Sequence, residues 1–223
     1  AGIAKSENGP PLEVAVVLSN FRVPHHDEKA IQLALMHLKD LEVVKIFFNG
    51  DIIDYYHRSE IDRNQLRIFT IKEITTLQSE IKNRVRDQEA KAQEKEDELA
   101  EEKERKPRKI KTLTEGQLER FVKREIQERA HKKELEQLFG VMKLFRDAHP
   151  NADLVWIWGC QEFYLHKYLD KYYPHLIDEI DGFCRQNKIQ KVFNGTRNNT
   201  YQYGPLVIGH WFRGGLNSQS GSV

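Results

Sequence analysis

The sequence has few cysteines, no long hydrophobic run and almost no net charge. Cys160 and Cys184 are the two cysteines among 223 residues, so a disulfide framework is not expected and free thiols in a reducing compartment are the default. No apolar run approaches the roughly 18 residues of a membrane-spanning helix. Residues 1–11 are small and polar and lack the apolar stretch of a secretory signal. These absences predict a cytoplasmic chain with no membrane partner.

Charge is balanced over the whole chain but is concentrated in one part of it. Lys plus Arg number 35 and Asp plus Glu number 34, which gives a net charge of +1 and argues against a globally basic nucleic-acid binder. Charged residues make up 18 of the 27 residues from Glu80 to Lys106. Five cations lie within residues 105–111, so binding of nucleic acid or phosphate at this segment is the weaker alternative to binding of a protein.

Residues 62–149 show the three- and four-residue spacing of apolar side chains that predicts helices. Pro107 interrupts this pattern, and Thr114 with Gln117 fits a capping box that opens a second helix. We therefore expect an antiparallel, coiled-coil-like helical hairpin. Residues 89–111 have almost no apolar face, which is typical of a projecting arm or a partly disordered tip. A docking arm for another protein and a solvated hairpin without a partner both remain open.

The sequence on both sides of this hairpin alternates strands and helices. Helices are predicted over 27–41 and 163–172. The alternation predicts an α/β fold, in which 1–61 and 150–223 are two parts of one domain and 62–149 is an insertion. The predicted strands are short apolar runs of the kind buried in a sheet, and they lie at 14–18, 43–48, 154–158, 189–193 and 205–208.

Polar residues follow four of the predicted strands. In α/β sheets a binding site lies beyond the carboxyl ends of the strands, so residues that are far apart in sequence should converge at one edge. We expect the functional site of the protein there. The residues are Asn20 and Arg22 after the first strand, Asp51 and Asp54 after the second, Cys160, Gln161 and Glu162 after the third, and His210 after the last.

These strand-end segments resemble the motif blocks of the calcineurin-like metallophosphoesterases, especially the compact bacterial and phage forms. The four segments are Ser19-Asn20-Phe21-Arg22, Asn49-Gly50-Asp51-Ile52-Ile53-Asp54, Gly159-Cys160-Gln161-Glu162 and Gly209-His210. The resemblance implies a layered metallophosphoesterase-like sheet flanked by helices. It also implies a two-metal site for hydrolysing phosphoric esters, and a phage origin with a place in the virion or its assembly.

The resemblance also shows which parts of that site are replaced. The first-block aspartate and histidine stand here as Asn20 and Arg22, and the third-block asparagine and histidine as Cys160 and Gln161. Arg22 has no lone pair for a metal, and a cation there repels a divalent ion by roughly 8 kcal/mol at about 4 Å and an effective dielectric of about 20. Gln161 cannot act as a general acid near neutral pH. No G-H-x-H block follows up to Val223. The ancestral reaction is therefore expected to be lost.

Two expectations concern the residues that remain. Arg22 is expected to pair with the carboxylates of Asp51 and Asp54, because a partly buried carboxylate without a metal needs another positive charge. Asp51, Cys160 and His210 stand at three positions of the second metal in the resemblance, and these residue types suit zinc. The expected cofactor is none, and the alternative is a single zinc or manganese ion on these three residues.

The sequence favours a catalytically inactive metallophosphoesterase-like domain, a pseudoenzyme, that serves as a structural or protein-interaction module. Its protein partner is expected to bind the helical hairpin. The alternative is a metal-dependent phosphoesterase, either a phosphatase or a nuclease, that works with a reduced one-metal site. In either case the degenerate site consists of Asn20, Arg22, Asp51, Asp54 and Gln161.

Overall fold

The computed structural model describes residues 14–54, 69–196 and 198–210, and these form a mixed α/β structure, which confirms the predicted fold class. They divide into two compact units, one of residues 14–54 with those from 134 onwards and the other of residues 69–133. The strands are β1 (Val14–Leu18), β2 (Val43–Asn49), β3 (Asp153–Ile157), β4 (Ile189–Val192), β5 (Asn199–Tyr203) and β6 (Leu206–His210). The helices are α1 (Glu28–Leu38), α2 (Ile71–Glu102), α3 (Glu115–Ala148), α4 (Cys160–Tyr172) and α5 (Pro174–Gln186).

The first unit is built on a parallel sheet in the order β1-β2-β3-β4. The central strands β2 and β3 are largely buried, as expected for strands covered on both faces, whereas β1 alternates between half-buried and exposed residues. On one face Phe47, Val155 and Ile157 pack against the antiparallel β5–β6 hairpin. On the other face Phe48 makes an edge contact with Phe145 of α3, with ring centroids 5.7 Å apart. The carboxyl ends of β1, β2 and β3 consequently lie side by side.

Two elements of this unit differ from the sequence prediction. The apolar pattern does not predict α5, which begins at Pro174, where the fixed φ of proline suits a first helical residue. The sequence also does not predict β5, which begins at Asn199. The Asn199 side chain is fully buried, and its Nδ2 donates to the Trp158 carbonyl at 2.8 Å. It therefore ties the β5–β6 hairpin to the segment that follows β3.

The second unit consists of α2 and the first part of α3, which pack on each other through a small apolar cluster. Both helices begin with a capping interaction, at Thr70 with Glu73 and at Thr114 with Gln117, and the second of these is the one that the sequence predicts. No helix in the described ranges is long and apolar enough to cross a membrane. The members of the apolar cluster are Ile81, Val85, Leu118, Val122 and Ile126.

The connection between α2 and α3 is held against α2 by polar contacts rather than by an apolar core. Three side chains of α2, spaced three or four residues apart and therefore on one helix face, accept backbone N–H groups of the connection. The pairs are Glu89 with Leu113 (2.7 Å), Gln93 with Ile110 (2.9 Å) and Glu96 with Arg108 (3.1 Å).

Candidate functional site

The loops that follow β1, β2 and β3 are joined to one another at the carboxyl edge of the parallel sheet. Asn20 N donates to the carbonyl of Gly50 at 3.2 Å, and Arg22 N donates to the carbonyl of Asp51 at 3.2 Å. From the loop after β3, Gln161 N donates to Asp51 Oδ1 at 3.2 Å. The structure thus brings the polar residues after these strands to one place, and Asp51 is at its centre.

Asp51, Cys160 and His210 form a cluster at this edge. One atom from each of them, a carboxylate oxygen, the thiol sulfur and an imidazole nitrogen, lies within 4.8 Å of the other two. Cys160 Sγ is 3.3 Å from Asp51 Oδ1 and 3.7 Å from Asp51 Oδ2. His210 Nε2 is 3.5 Å from Asp51 Oδ2. These are the three residues that the sequence singles out for a metal ion, and they come from three different segments of the chain.

Two glycines make room for this cluster. A Cβ atom on Gly50, whose φ is +65°, would lie 2.4 Å from His210 Cγ, so His210 packs where a side chain would otherwise be. A Cβ atom on Gly159 would lie 2.9 Å from Asp51 Oδ1. Any larger residue at either position would displace His210 or Asp51, and at Gly50 it would also be strained by the left-handed backbone. The close approach of the cluster is therefore encoded in the sequence.

Glu162 fixes the backbone that carries Asp51. Its side chain is 1% exposed, and burial together with the Asp51 carboxylate raises the pKa of its carboxyl group, a rise that the backbone N–H donors offset only in part. Since four N–H groups share its two oxygens, the ionised carboxylate is the form that satisfies all of them. Glu162 is thereby committed to positioning the loops. The donors are Asp51 N (3.0 Å), Ile52 N (2.7 Å), Ile53 N (3.4 Å) and Gly159 N (2.9 Å).

The expected pairing of Arg22 with Asp51 and Asp54 is wrong. The exposed Arg22 side chain donates from Nε to Asn20 Oδ1 at 2.7 Å. The reason is local: both residues have left-handed φ values, 62° for Asn20 and 54° for Arg22, and in this turn the amide oxygen two residues earlier lies within reach. The Asp51 carboxylate instead contacts Cys160, Gln161 N and His210.

Asp54 lies outside the three-residue cluster. It is buried, with 7% exposure, and its backbone N donates to the carbonyl of Val23 at 2.8 Å. That bond belongs to the same pairing of the loops after β1 and β2 as the bonds of Asn20 and Arg22. Asp54 thus takes part in the architecture of the edge, and the structure does not bring it together with Cys160 and His210.

The Cys160 thiol is poorly suited to act as a nucleophile. Burial and the neighbouring Asp51 carboxylate raise its pKa to about 12, so it is protonated at neutral pH without a bound cation. A reactive cysteine needs the opposite surroundings, because the thiolate is the nucleophile. A position at the start of a helix lowers the pKa of a thiol, but the position of Cys160 at the start of α4 does not outweigh burial and the Asp51 charge. Metal binding or hydrogen bonding is therefore the chemistry open to this thiol.

No protein-family model matches the chain, and no curated protein sequence or solved structure shows a detectable similarity to it. The interpretation of the site consequently depends on the residues of the chain and their geometry. Within the part of the chain that the structure describes, the edge of the sheet carries one cluster of possible metal ligands, Asp51, Cys160 and His210. The exposed guanidinium of Arg22 lies on the neighbouring loop.

Proposed function

We propose that this chain is a metallophosphoesterase-like domain that has lost phosphoesterase activity and acts as a structural or protein-interaction module. The observation that supports the loss of activity is the position and hydrogen bonding of the Arg22 side chain. Its guanidinium lies at the end of β1 and is bonded to Asn20, where a two-metal site would need lone-pair ligands. A guanidinium only donates hydrogen bonds and stays protonated, so this part of the edge repels a metal ion.

The other side chains at the edge are consistent with this proposal. Two-metal hydrolysis needs paired cations to activate water and to stabilise charge on the phosphate oxygens. It also gains from a group that protonates the leaving oxygen. Gln161 does not titrate, and Glu162 is occupied by four backbone N–H groups. Glu162, the acid nearest to the cluster on α4, is therefore engaged in holding the loops and not free to replace a lost ligand.

The second unit supports the interaction role. In the finer architecture that we propose, α2 and α3 form a helical hairpin inserted in the layered sheet domain. Its connection displays four exposed cations, Lys106, Arg108, Lys109 and Lys111, beside six acidic side chains within residues 94–102. Charge arranged in this way favours the orientation of a charged protein partner. The buried free thiols of Cys160 and Cys184 fit a reducing compartment such as the cytoplasm, where phage assembly also takes place.

An assay on bis-p-nitrophenyl phosphate with added manganese or zinc tests the loss of activity. We expect the same rate with the wild-type chain as with Asp51→Asn, and neither should exceed the metal-containing buffer. Asp153→Asn, at the opposite end of β3, is the matched control for removing a carboxylate. Turnover by the wild type and by Asp153→Asn that disappears in Asp51→Asn would contradict the proposal.

Site-specific photo-crosslinking in cells that naturally produce the chain tests the interaction role. A photoreactive residue at Lys109 should yield a discrete crosslinked protein, because this residue belongs to the exposed basic connection. The same probe at Lys39, an exposed lysine after α1, is the matched control and should yield none. The interaction role is wrong when position 109 gives no discrete product, or gives the same products as position 39.

A one-metal phosphoesterase is the second candidate, and the cluster of Asp51, Cys160 and His210 favours it. These three residues would hold the ion, and a catalytic zinc with three protein ligands supplies an activated water at its fourth position. In the same assay this candidate predicts turnover that requires zinc and that is lost in both Asp51→Asn and His210→Ala. Absence of turnover under all metal conditions excludes the one-metal phosphoesterase.

A further inference from the structure

We propose that Asp51, Cys160 and His210 bind a single zinc ion, at a site that excludes a second metal and prefers zinc to manganese. This inference concerns metal binding alone. It goes beyond the proposed function, and it holds whether or not the domain is catalytic.

The spacing of the three side chains fits a tetrahedral ion. Zinc bonds of about 2.3 Å to sulfur and about 2.0–2.1 Å to nitrogen or oxygen place neighbouring ligand atoms about 3.3–3.6 Å apart. Measured from Asp51 Oδ2, the distances are 3.7 Å to Cys160 Sγ and 3.5 Å to His210 Nε2. The Cys160 sulfur and the His210 ring nitrogen are at most 4.8 Å apart. A small rotation of one side chain therefore brings all three ligand atoms to the spacing that zinc requires.

The charges of the three ligands match those of a divalent ion. On zinc binding the Cys160 thiol releases its proton to the solvent, after which the Asp51 carboxylate and the thiolate together carry two negative charges and a neutral imidazole adds none. Binding zinc therefore leaves a neutral cluster inside a largely buried pocket, which avoids the cost of an isolated buried charge. The thiolate also decides which metal is bound, since sulfur ligands select zinc whereas manganese and magnesium prefer oxygen.

The surroundings of the ligands contain acceptors that lack donors. Among the described residues, no hydrogen-bond donor reaches the buried Oε1 of Gln161 or the buried Oδ1 of Asn49. Gln161 follows Cys160 directly, and the Asn49 amide donates from Nδ2 to the carbonyl of Gly209, next to His210, at 3.3 Å. Buried acceptors without a partner are rare and point to water or an ion. Both oxygens would be able to accept hydrogen bonds from a water bound beside the cluster.

Of the residues that the structure describes, those next to the cluster do not provide a second set of metal ligands. The residues next to the cluster on the β1 side are Asn20 and Arg22, which bond to each other and offer a cation instead of a carboxylate. Glu162, the nearest further acid on α4, accepts four backbone N–H bonds. Its use as a metal ligand would break the contacts that position Asp51. The geometry therefore supports one ion rather than a bridged pair.

Cobalt substitution of the purified full chain tests this inference without any measurement of activity. Titration of metal-free protein with Co²⁺ should saturate at one ion per chain. It should produce the intense visible bands of four-coordinate cobalt and an ultraviolet thiolate-to-cobalt charge-transfer band. Added Zn²⁺ should abolish both signals stoichiometrically, whereas a tenfold excess of Mn²⁺ should leave them unchanged.

Three variants assign the signals to the proposed ligands. Cys184→Ser, which removes the other buried thiol, should behave like the wild type. Cys160→Ser should lose the charge-transfer band, and His210→Ala should weaken cobalt binding at least about 100-fold. Circular dichroism checks the fold of each variant.

Absence of the charge-transfer band in the wild type would overturn the inference, and so would binding of two cobalt ions per chain. A band that is lost in Cys184→Ser but kept in Cys160→Ser would overturn it as well. Displacement of cobalt by manganese would equally overturn the preference for zinc. A missing or misassigned charge-transfer band, or displacement by manganese, would leave the silent-module proposal standing, because that proposal is tested by hydrolysis.

Discussion

The two units of the chain are stabilised by different interactions. In the first unit Phe47, Phe48 and Trp156 are at most 1% exposed, and burying each such side chain stabilises the fold by about 1.5–3 kcal/mol. In the second unit one small apolar cluster is supplemented by helix caps, ion pairs such as Arg105–Glu96 (2.7 Å) and side-chain bonds to the connection. Exposed ion pairs contribute only about 0–1 kcal/mol each.

This difference explains where each kind of function is expected. A metal cluster needs ligands that are held within a fraction of an ångström, and the rigid, buried sheet with its Glu162-bonded loops provides that. A surface that contacts a partner needs exposed charge, which the long polar helices and their connection display. The largest mutational effects should therefore fall on the first unit, and the effects should decrease towards the connection of the second.

Glu162→Gln should give the largest loss of stability. The amide cannot accept four N–H bonds, so backbone donors of Asp51 and Gly159 are left buried without partners, at a cost of about 4 kcal/mol. Urea unfolding followed by tryptophan fluorescence reports this unit, because all three tryptophans follow residue 150 in the sequence. Glu42→Gln, at an exposed position, is the control and should change stability by less than about 0.5 kcal/mol. Equal midpoints for the two variants would contradict the role of Glu162.

Ile126→Ala should have the next largest effect, and it should be confined to the second unit. Ile126 is 1% exposed within the small apolar cluster, and truncating a buried isoleucine costs about 3 kcal/mol. Circular dichroism should detect helix melting at lower temperature, while tryptophan fluorescence should keep its wild-type midpoint. Phe121→Ala, on an exposed face of the same helix, is the control. A shift of both probes together would show that the two units unfold as one.

His149→Gln should reduce the acid sensitivity of the first unit. Burial lowers the pKa of His149 from its usual value of 6.5, so the unfolded chain binds the proton more readily than the folded chain. The stability from this group is complete above pH 6.5 and is lost as the pH falls below it. Urea midpoints at pH 7.5 and 5.0 should differ less for His149→Gln than for the wild type. The prediction is contradicted when the difference between the two urea midpoints is the same in His149→Gln as in the wild type. It is also contradicted when His37→Gln, on α1, reduces that difference as much as His149→Gln does.

Glu96→Ala should have the smallest effect, limited to the connection between the two long helices. Removing this acceptor frees the N–H of Arg108, and amide exchange there should accelerate about tenfold. The urea midpoint should not change. Glu94→Ala, an exposed neighbour on the same helix, should leave the exchange of Arg108 unaffected. A global loss of stability in Glu96→Ala would mean that polar contacts do more for this unit than its apolar cluster.

The sheet could be predicted from sequence because its strands are marked by short apolar runs, and the two central strands are largely buried. The runs that begin at Val14 and Leu154, and the run from Val43 that Lys45 interrupts, lie within one residue of the starts of β1, β3 and β2. The capping box at Thr114 predicts the start of α3 equally well. The start of α5 at Pro174 and the strand that begins at Asn199 were missed, because both begin with residues that are also typical of turns.

The site was predictable only in part. Side chains after parallel strands must share an edge, so the meeting of Asp51 and Cys160 follows from topology, and the resemblance adds His210. The partner of Arg22 depends on a left-handed turn that no spacing rule specifies. The role of Glu162 also depends on bonds between distant loops, although its place three residues after Gly159 is the spacing of a helix-capping glutamate.

The metal content of the purified chain is the most direct test of the central claim that this sheet edge binds one zinc ion and no second metal. The chain is equilibrated with equal excesses of zinc and manganese, freed of unbound metal by gel filtration, and measured by elemental mass spectrometry. The account predicts one zinc and no manganese per chain, and zinc is expected to be absent from Cys160→Ser. Two metal ions per chain, bound manganese, or no metal at all would contradict it.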